Sequence, residues 1–132
     1  MKVFVCVDDN FGMAFNKRRQ SRDSAVVKAM VDMVGNGRIF MNSYSAKLFK
    51  EKDITVDESF LDLAEDRDFC FVENVSLEGY EEKISEIILF KWNRIYPSDV
   101  KLNIDLDNRK LVKTFSFVGN SHDLITCEVW AK

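Results

Sequence analysis

Three short runs of continuous apolar sequence constrain the fold of this chain more than any other feature. Residues 3–7, 69–72 and 86–92 are rich in β-branched and aromatic side chains, with charged or turn-forming residues around them. Strands buried on both faces have this pattern, and they form the middle of parallel sheets that helices cover. The sequence therefore predicts a sheet in which residues 3–7 form the central strand, flanked by the other two runs.

The segments between these runs predict helices that cover the sheet. Apolar residues recur at helical spacing across residues 25–34, and Gly35 and Gly37 follow as a helix end. The other expected elements are short: a strand over 38–41, and helices from Asn42 to about Lys50, over 57–64 and over 76–84.

The last third of the chain changes to a strand pattern. Residues 110–118 and 124–130 alternate apolar and polar side chains, and residues 119–123 between them favour a turn. We therefore expect one α/β domain over residues 1–132, with a mixed, mostly parallel sheet, helices on both faces and an antiparallel C-terminal hairpin. The 46% of hydrophobic residues excludes a disordered chain.

Charge and cysteine content limit the partners and the compartment. A net charge of −3 argues against broad binding to nucleic acid or to an anionic membrane. No apolar run approaches the ~18 residues that a membrane span needs. Cys6, Cys70 and Cys127 are an odd number of cysteines within strand patterns, which indicates buried, reduced thiols and a cytoplasmic location.

Five segments carry family-like motifs in chain order: 7–13 (V-D-D-N-F-G-M), 37–41 (G-R-I-F-M), 56–58 (V-D-E), 86–90 (E-I-I-L-F) and 120–130, which begins N-S-H. Together they resemble motifs of the dihydrofolate reductases. Asp23 matches the acid that relays a proton in that family, so the resemblance makes it the candidate catalytic residue; its other interpretation is a helix N-cap. The resemblance covers nearly the whole chain and implies the fold of that family, with a ligand cleft between the first helix and the sheet.

The departures from the family pattern fall on the contacts that hold its nicotinamide cofactor. Residues 42–45 (N-S-Y-S) replace the G-R-x-T that seats the pyrophosphate, and residues 73–75 (E-N-V) replace a Gly-Gly pair. Between Phe49 and Ile54 there is no room for the strand on the adenosine side. We therefore expect no resident cofactor and no NADPH-dependent reductase activity.

A cluster of cations is the strongest sign of a binding site. Lys17, Arg18, Arg19 and Arg22 precede the first long helix, where the resembled family carries a loop over its active site. Exposed amides and guanidinium groups there would bind a phosphate or a carboxylate, and the alternative is a solvated loop. Two hydroxyl residues at the next helix start complete the candidate ligand-binding set, Ser43 and Ser45.

Other catalytic chemistry finds little support in the sequence. His122 is the only histidine, which excludes a multi-histidine metal site, and we expect no metal. No Ser-His-Asp or Cys-His arrangement and no phosphate-binding glycine loop is evident. Residues 92–97 gather two aromatic rings and an arginine, which indicates either an interface or rings packed onto the core.

Two classes of function follow, and a third is weaker. The first is a non-catalytic binding or structural module on a dihydrofolate reductase-like scaffold, with homo-oligomers as a further expectation. The second is an enzyme or sensor for a small anionic ligand, similar to a folate or a nucleotide, in the retained cleft. The third is an RNA-processing role through the basic loop, although nucleic acid and membrane are not the expected partners.

Overall fold

The computed structural model describes residues 1–50 and 53–132, and ten strands and three α-helices lie within them. Two 3₁₀ turns, Glu81–Lys83 and Leu106–Asn108, complete the secondary structure. The helices are α1 (Ser24–Val34), α2 (Ser43–Ala46) and α3 (Phe60–Leu63). The strands are β1 (Lys2–Val7), β2 (Gly12–Phe15), β3 (Arg18–Arg19), β4 (Ile39–Met41), β5 (Thr55–Val56), β6 (Phe69–Val72), β7 (Glu86–Lys91), β8 (Val100–Lys101), β9 (Lys110–Phe117) and β10 (Ile125–Ala131).

Seven of these strands form one mixed sheet in the order β5-β4-β6-β1-β7-β10-β9. Strand β1 is central and pairs in parallel with β6 on one side and β7 on the other. Strand β10 runs antiparallel to β7, and β9 runs antiparallel to β10 at the sheet edge. The predicted central strand, its two neighbours and the C-terminal hairpin are therefore confirmed.

Both faces of the central strand are buried, as its continuous apolar sequence predicts. Val3, Val5 and Val7 belong to one core cluster, which α3 and the segments after β6 cover. Phe4 points to the opposite face, where α1 packs through Val26, Met30 and Val34. The helices thus lie on both faces, and the N-terminus of α1 comes to the end of the sheet where β1 stops.

A second, three-stranded sheet carries part of the basic segment. Strands β2 and β3 form a hairpin whose two-residue turn is Asn16-Lys17, and β8 pairs with the other side of β2. Both turn residues have positive φ, 52° and 63°, which is the requirement of a type I′ turn. The basic segment was expected to be a loop, and the hairpin was not predicted.

Three helices are shorter than the sequence pattern predicts. Residues 76–84 contain only the 3₁₀ turn, because Gly79 has φ 88° and interrupts any helix there. The carboxylate of Asp57 accepts from the amide of Ser59 at 2.7 Å, which holds the first residues of 57–64 in a turn before α3 begins. Helix α2 ends at Ala46, and Phe49 beyond it packs against Phe71 in the core.

The predicted absence of an adenosine-side strand concerns the segment that follows α2. The prediction that no strand fits between Phe49 and Ile54 includes residues 51 and 52, which lie outside the described residues. Strand β5 follows at Thr55–Val56 and pairs in parallel with β4 at the sheet edge. Across the described part of the chain, no helix has the length and apolar character to cross a membrane.

Candidate functional site

Asp23 is the N-cap of α1 and the centre of a buried hydrogen-bond network. Its Oδ1 accepts from the amide of Ala25 at 2.9 Å, which caps the helix. The loop before β10 adds the amides of Asn120 and Ser121 at 2.9 Å each, and Nδ1 of His122 lies 3.0 Å from Oδ2. The side chain is 0% exposed. The interpretation of Asp23 as an N-cap is confirmed.

This network holds the pKa of Asp23 well below its usual range. Burial by itself raises the pKa, but the hydrogen bonds from Asn120, His122, Ser121 and Ala25 outweigh that effect. The carboxylate is therefore ionised at neutral pH and acts only as an acceptor. The role of Asp23 as a proton-relay acid stays a prediction, and these contacts do not favour it.

Gly119 lets the loop approach Asp23 this closely. A Cβ atom at this position would lie 2.5 Å from Oδ2 of Asp23 and 2.8 Å from the carbonyl oxygen of His122. Because real side chains do not occupy such distances, any larger residue would push the loop away from the start of α1.

His122 is buried against aromatic residues and has a defined orientation. Its ring stacks on Trp92 with the centroids 4.5 Å apart, and it is only 4% exposed. Nδ1 donates to the carboxylate of Asp23, which leaves Nε2 on the opposite side of the ring for other partners. That nitrogen faces Oγ of Ser21 at 3.1 Å and the hydroxyl of Tyr96 at 3.0 Å. The interpretation that the rings of Trp92 and Tyr96 pack onto the core is confirmed.

The structure thus brings a serine, a histidine and an aspartate together, an arrangement that was not evident in the sequence. Ser21 and His122 are 101 residues apart, and only the fold places them side by side. No short motif could reveal this pair. The one available signal was the N-S-H resemblance, which put the loop of His122 near the start of the first helix.

The four clustered cations separate in the structure. Lys17 lies at the hairpin tip, and it is exposed, as are Arg18 and Arg22. Arg19 is only 19% exposed, and it donates two hydrogen bonds to the carboxylate of Glu73, at 2.8 and 3.0 Å. The expectation that all four would be exposed is therefore wrong for Arg19, because a buried carboxylate needs a cation as its partner.

The N-terminus of α2 is capped by polar side chains of the protein itself. Oδ1 of Asn42 accepts from the amide of Ser45 at 3.0 Å, and Oε2 of Glu58 accepts from the amide of Ser43 at 2.9 Å. The buried hydroxyl of Ser45 donates to Glu73 at 2.8 Å. As ligand-binding residues Ser43 and Ser45 stay predictions, and these contacts argue against them.

A cleft of about 780 Å³ lies between α1 and the segment after α2. Its volume is within the range of small-molecule sites. Asp23 is the only acidic residue among the described residues that line it. Four cations line it, Arg22, Lys28, Lys47 and Lys50, together with four apolar residues, Val27, Val31, Leu48 and Phe49. Arg22 is the member of the basic segment that borders the cleft containing Asp23.

The three cysteines do not provide reactive groups. Burial raises the pKa of Cys70 to about 12 and that of Cys127 to about 11. Cys6 keeps some exposed surface, and desolvation raises its pKa as well. Within residues 1–50 and 53–132, no group of three or more His, Cys, Asp or Glu side chains is placed to hold a metal ion.

Comparison with known proteins identifies the fold. No protein-family profile and no curated protein sequence matches this chain. Its structure is similar to that of dihydrofolate reductase from Enterococcus faecalis complexed with NADP(H) and RAB-propyl, with a TM-score of 0.70 and 8% sequence identity. The similarity covers 98% of this chain and 94% of the reductase. The fold implied by the sequence resemblance is therefore confirmed.

Proposed function

We propose that this chain, which has the dihydrofolate reductase fold, binds a small anionic molecule in its cation-lined cleft and is not an NADPH-dependent reductase. The observation that carries this proposal is the charge of the cleft. Among the described residues that line it, four are cations, and the one acidic group already accepts hydrogen bonds from the protein. On a chain whose net charge is −3, such a concentration of positive charge favours an anionic ligand.

The lining of the cleft indicates the chemistry of the ligand. Val27, Val31 and Leu48 are half-buried side chains that would contact a flat, apolar body. Lys28 and Lys47 are exposed beside them and would bind carboxylate or phosphate groups. Lys28 also pairs with Asp32 at 2.9 Å, but both side chains are largely exposed, so a ligand can exchange for this weak contact. A molecule of the folate or nucleotide class has both parts.

The residues at the start of α2 are the reason for proposing that the chain is not an NADPH-dependent reductase. Glu58 and Glu73 bring carboxylates to the helix end where the resembled reductases seat the pyrophosphate. The positive charge of Arg19 is already paired with Glu73. A pyrophosphate at this position would meet negative charge and would have to displace these contacts, which argues against NADPH.

A thermal-shift titration tests the binding. Dihydrofolate, ATP and a short single-stranded RNA would each be added to the full chain at 50 and 500 mM salt. A ligand of the cleft raises the melting temperature by mass action, with about 2.7 kcal/mol of stabilisation at a ligand concentration of 100 Kd. High salt should weaken the effect because the cations are exposed.

Paired variants locate the site. Lys28→Gln with Lys47→Gln should remove most of the shift, whereas Lys110→Gln with Lys113→Gln on β9, outside the cleft, should leave it unchanged. The absence of any shift with dihydrofolate or ATP, or an equal loss in both pairs, would contradict the proposal. A response to RNA alone would favour the weaker alternative through Lys17 and Arg18. Homo-oligomerisation stays a prediction.

A further inference from the structure

We propose that Ser21 is a nucleophile, activated by His122 and Asp23, and that this chain hydrolyses an acyl ester that carries a negative charge. The inference goes beyond the proposed binding function, since it assigns a reaction to a second cavity. The two cavities are neighbours, because Arg22 and Ser121 line both.

The geometry of the three side chains is that of a serine hydrolase triad. The aspartate contacts Nδ1 of His122 at 3.0 Å, and the serine Oγ lies 3.1 Å from Nε2. This is the assignment of nitrogens that lets the aspartate fix the tautomer while Nε2 takes the serine proton. Stacking on Trp92 and burial hold the ring in this orientation.

The nucleophile is accessible, whereas the rest of the triad is not. Ser21 is partly exposed and lines a cavity of about 510 Å³, while His122 and Asp23 are buried behind it. An ester can therefore reach Oγ without displacing the histidine. Tyr96 also bonds to Nε2, but it is not among the residues that line the cavity, so we infer that it positions the ring.

The remaining lining of this cavity favours an anionic substrate. Arg18 and Arg22 line it beside the serine. In the described part of the chain, no ion pair engages either of these guanidinium groups. They are available to bind a carboxylate or phosphate of the substrate and to stabilise the negative charge that develops on the carbonyl oxygen.

The reaction needs only the ester and water. Oγ of Ser21 attacks the carbonyl carbon while Nε2 of His122 takes its proton, and the ester C–O bond then breaks as the alcohol leaves with that proton. Water attacks the acyl-serine, its proton passes to Nε2 and then to Oγ, and the carboxylic acid is released. Asp23 stays ionised throughout and balances the transient imidazolium.

Covalent labelling of the full chain tests the nucleophile. A fluorophosphonate probe should modify one residue, Ser21, about 100-fold or more faster than it modifies a denatured sample, which is the lower range of what a positioned base contributes. Ser21→Ala should abolish labelling, and Ser116→Ala, which removes an exposed hydroxyl on β9, should not change it. Tyr96→Phe should retain labelling, because Nε2 then accepts from Ser21 alone. Labelling of another residue, or equal labelling of native and denatured protein, would overturn the proposal.

A pair of esters tests the charge preference. Hydrolysis of 4-acetoxybenzoate should have a kcat/KM about 10-fold higher than that of its neutral methyl ester, and Arg18→Gln should remove the difference. Ser21→Ala should lose hydrolysis and yet keep the melting shift of the cleft ligand, because Ser21 does not line that cleft. This comparison separates a failure of the hydrolase proposal from a failure of the binding proposal. Equal rates for both esters in the wild type, or hydrolysis that persists in Ser21→Ala, would overturn the hydrolase proposal.

Discussion

At the scale of single residues, Asp23 joins two segments that are distant in sequence. One carboxylate caps α1 through Ala25 and holds the loop of residues 119–122 through the amides of Asn120 and Ser121. Hydrogen bonds to a charged acceptor are worth about 1.5–3 kcal/mol each. Removing the charge therefore affects the helix start, the loop and the orientation of His122 together.

The first prediction concerns Asp23→Asn. The NH₂ group of the new side chain would face the backbone N–H of Ser121 or of Asn120, and two donors cannot hydrogen-bond to each other. We therefore expect a loss of about 2–4 kcal/mol in the free energy of unfolding at pH 7. The exposed Asp32→Asn, which breaks only the pair with Lys28, should cost less than about 0.5 kcal/mol. Urea unfolding of both variants measures the two effects.

The same variant should change the pH dependence of stability. Because the pKa of Asp23 is lower in the folded state, its carboxylate stabilises the fold above the unfolded pKa of about 4 and loses this contribution as the pH falls below it. The difference between wild type and Asp23→Asn should therefore shrink between about pH 5 and pH 2. A difference that stays constant over that range would contradict this assignment.

At the scale of elements, the β2–β3 hairpin depends on an unfavourable turn residue. Lys17 has φ 63°, a conformation that costs a side-chain-bearing residue about 1 kcal/mol relative to glycine. The hairpin nevertheless forms, because Ala14 and Phe15 pair with Arg19 and Arg18, and the guanidinium group of Arg19 is fixed by Glu73. Tertiary contacts therefore override a weak local turn signal.

The second prediction is that Lys17→Gly stabilises the protein. Asn-Gly is the preferred sequence of a type I′ turn, so we expect a gain of about 0.5–1 kcal/mol in the free energy of unfolding. Lys113→Gly, in the regular part of β9, should instead destabilise the protein by a similar amount. Chemical unfolding checks both, and a loss of stability in Lys17→Gly would show that its side chain matters more than its backbone.

Elements that depend on a pattern within one segment could be predicted from the sequence, whereas those that depend on one residue's backbone or on distant contacts could not. The central strands and α1 could be predicted, because continuous apolar runs and apolar residues at helical spacing indicate directly which side chains are buried. Residues 76–84 could not, since one glycine with positive φ outweighs their helical composition. The Ser21–His122–Asp23 group could not either, because its members meet only through the packing of the β9–β10 loop on the start of α1.

At the scale of the whole molecule, a dihydrofolate reductase-like fold carries opposite charges in two of its regions. Four cations are among the described residues that line the cleft beside α1, whereas the carboxylates Glu58 and Glu73 lie at the start of α2. The two regions therefore favour different occupants. The similarity to a reductase at 8% sequence identity extends to the fold and not to either of these regions as a binding site.

The third prediction is that the full chain does not oxidise NADPH in the presence of dihydrofolate. Glu73 is 7% exposed and already binds Arg19 and Ser45, so a pyrophosphate would have to break an ion pair and then lie beside the freed carboxylate. Breaking such a buried pair costs about 3–5 kcal/mol, which is enough to weaken binding by about two to four orders of magnitude. Absorbance at high protein concentration should show no turnover above a sample without protein, while an active reductase under the same conditions does. NADPH should also leave the melting temperature unchanged. Turnover that follows the protein through purification would show that the cofactor binds elsewhere on this scaffold, and the binding-module proposal would then fail.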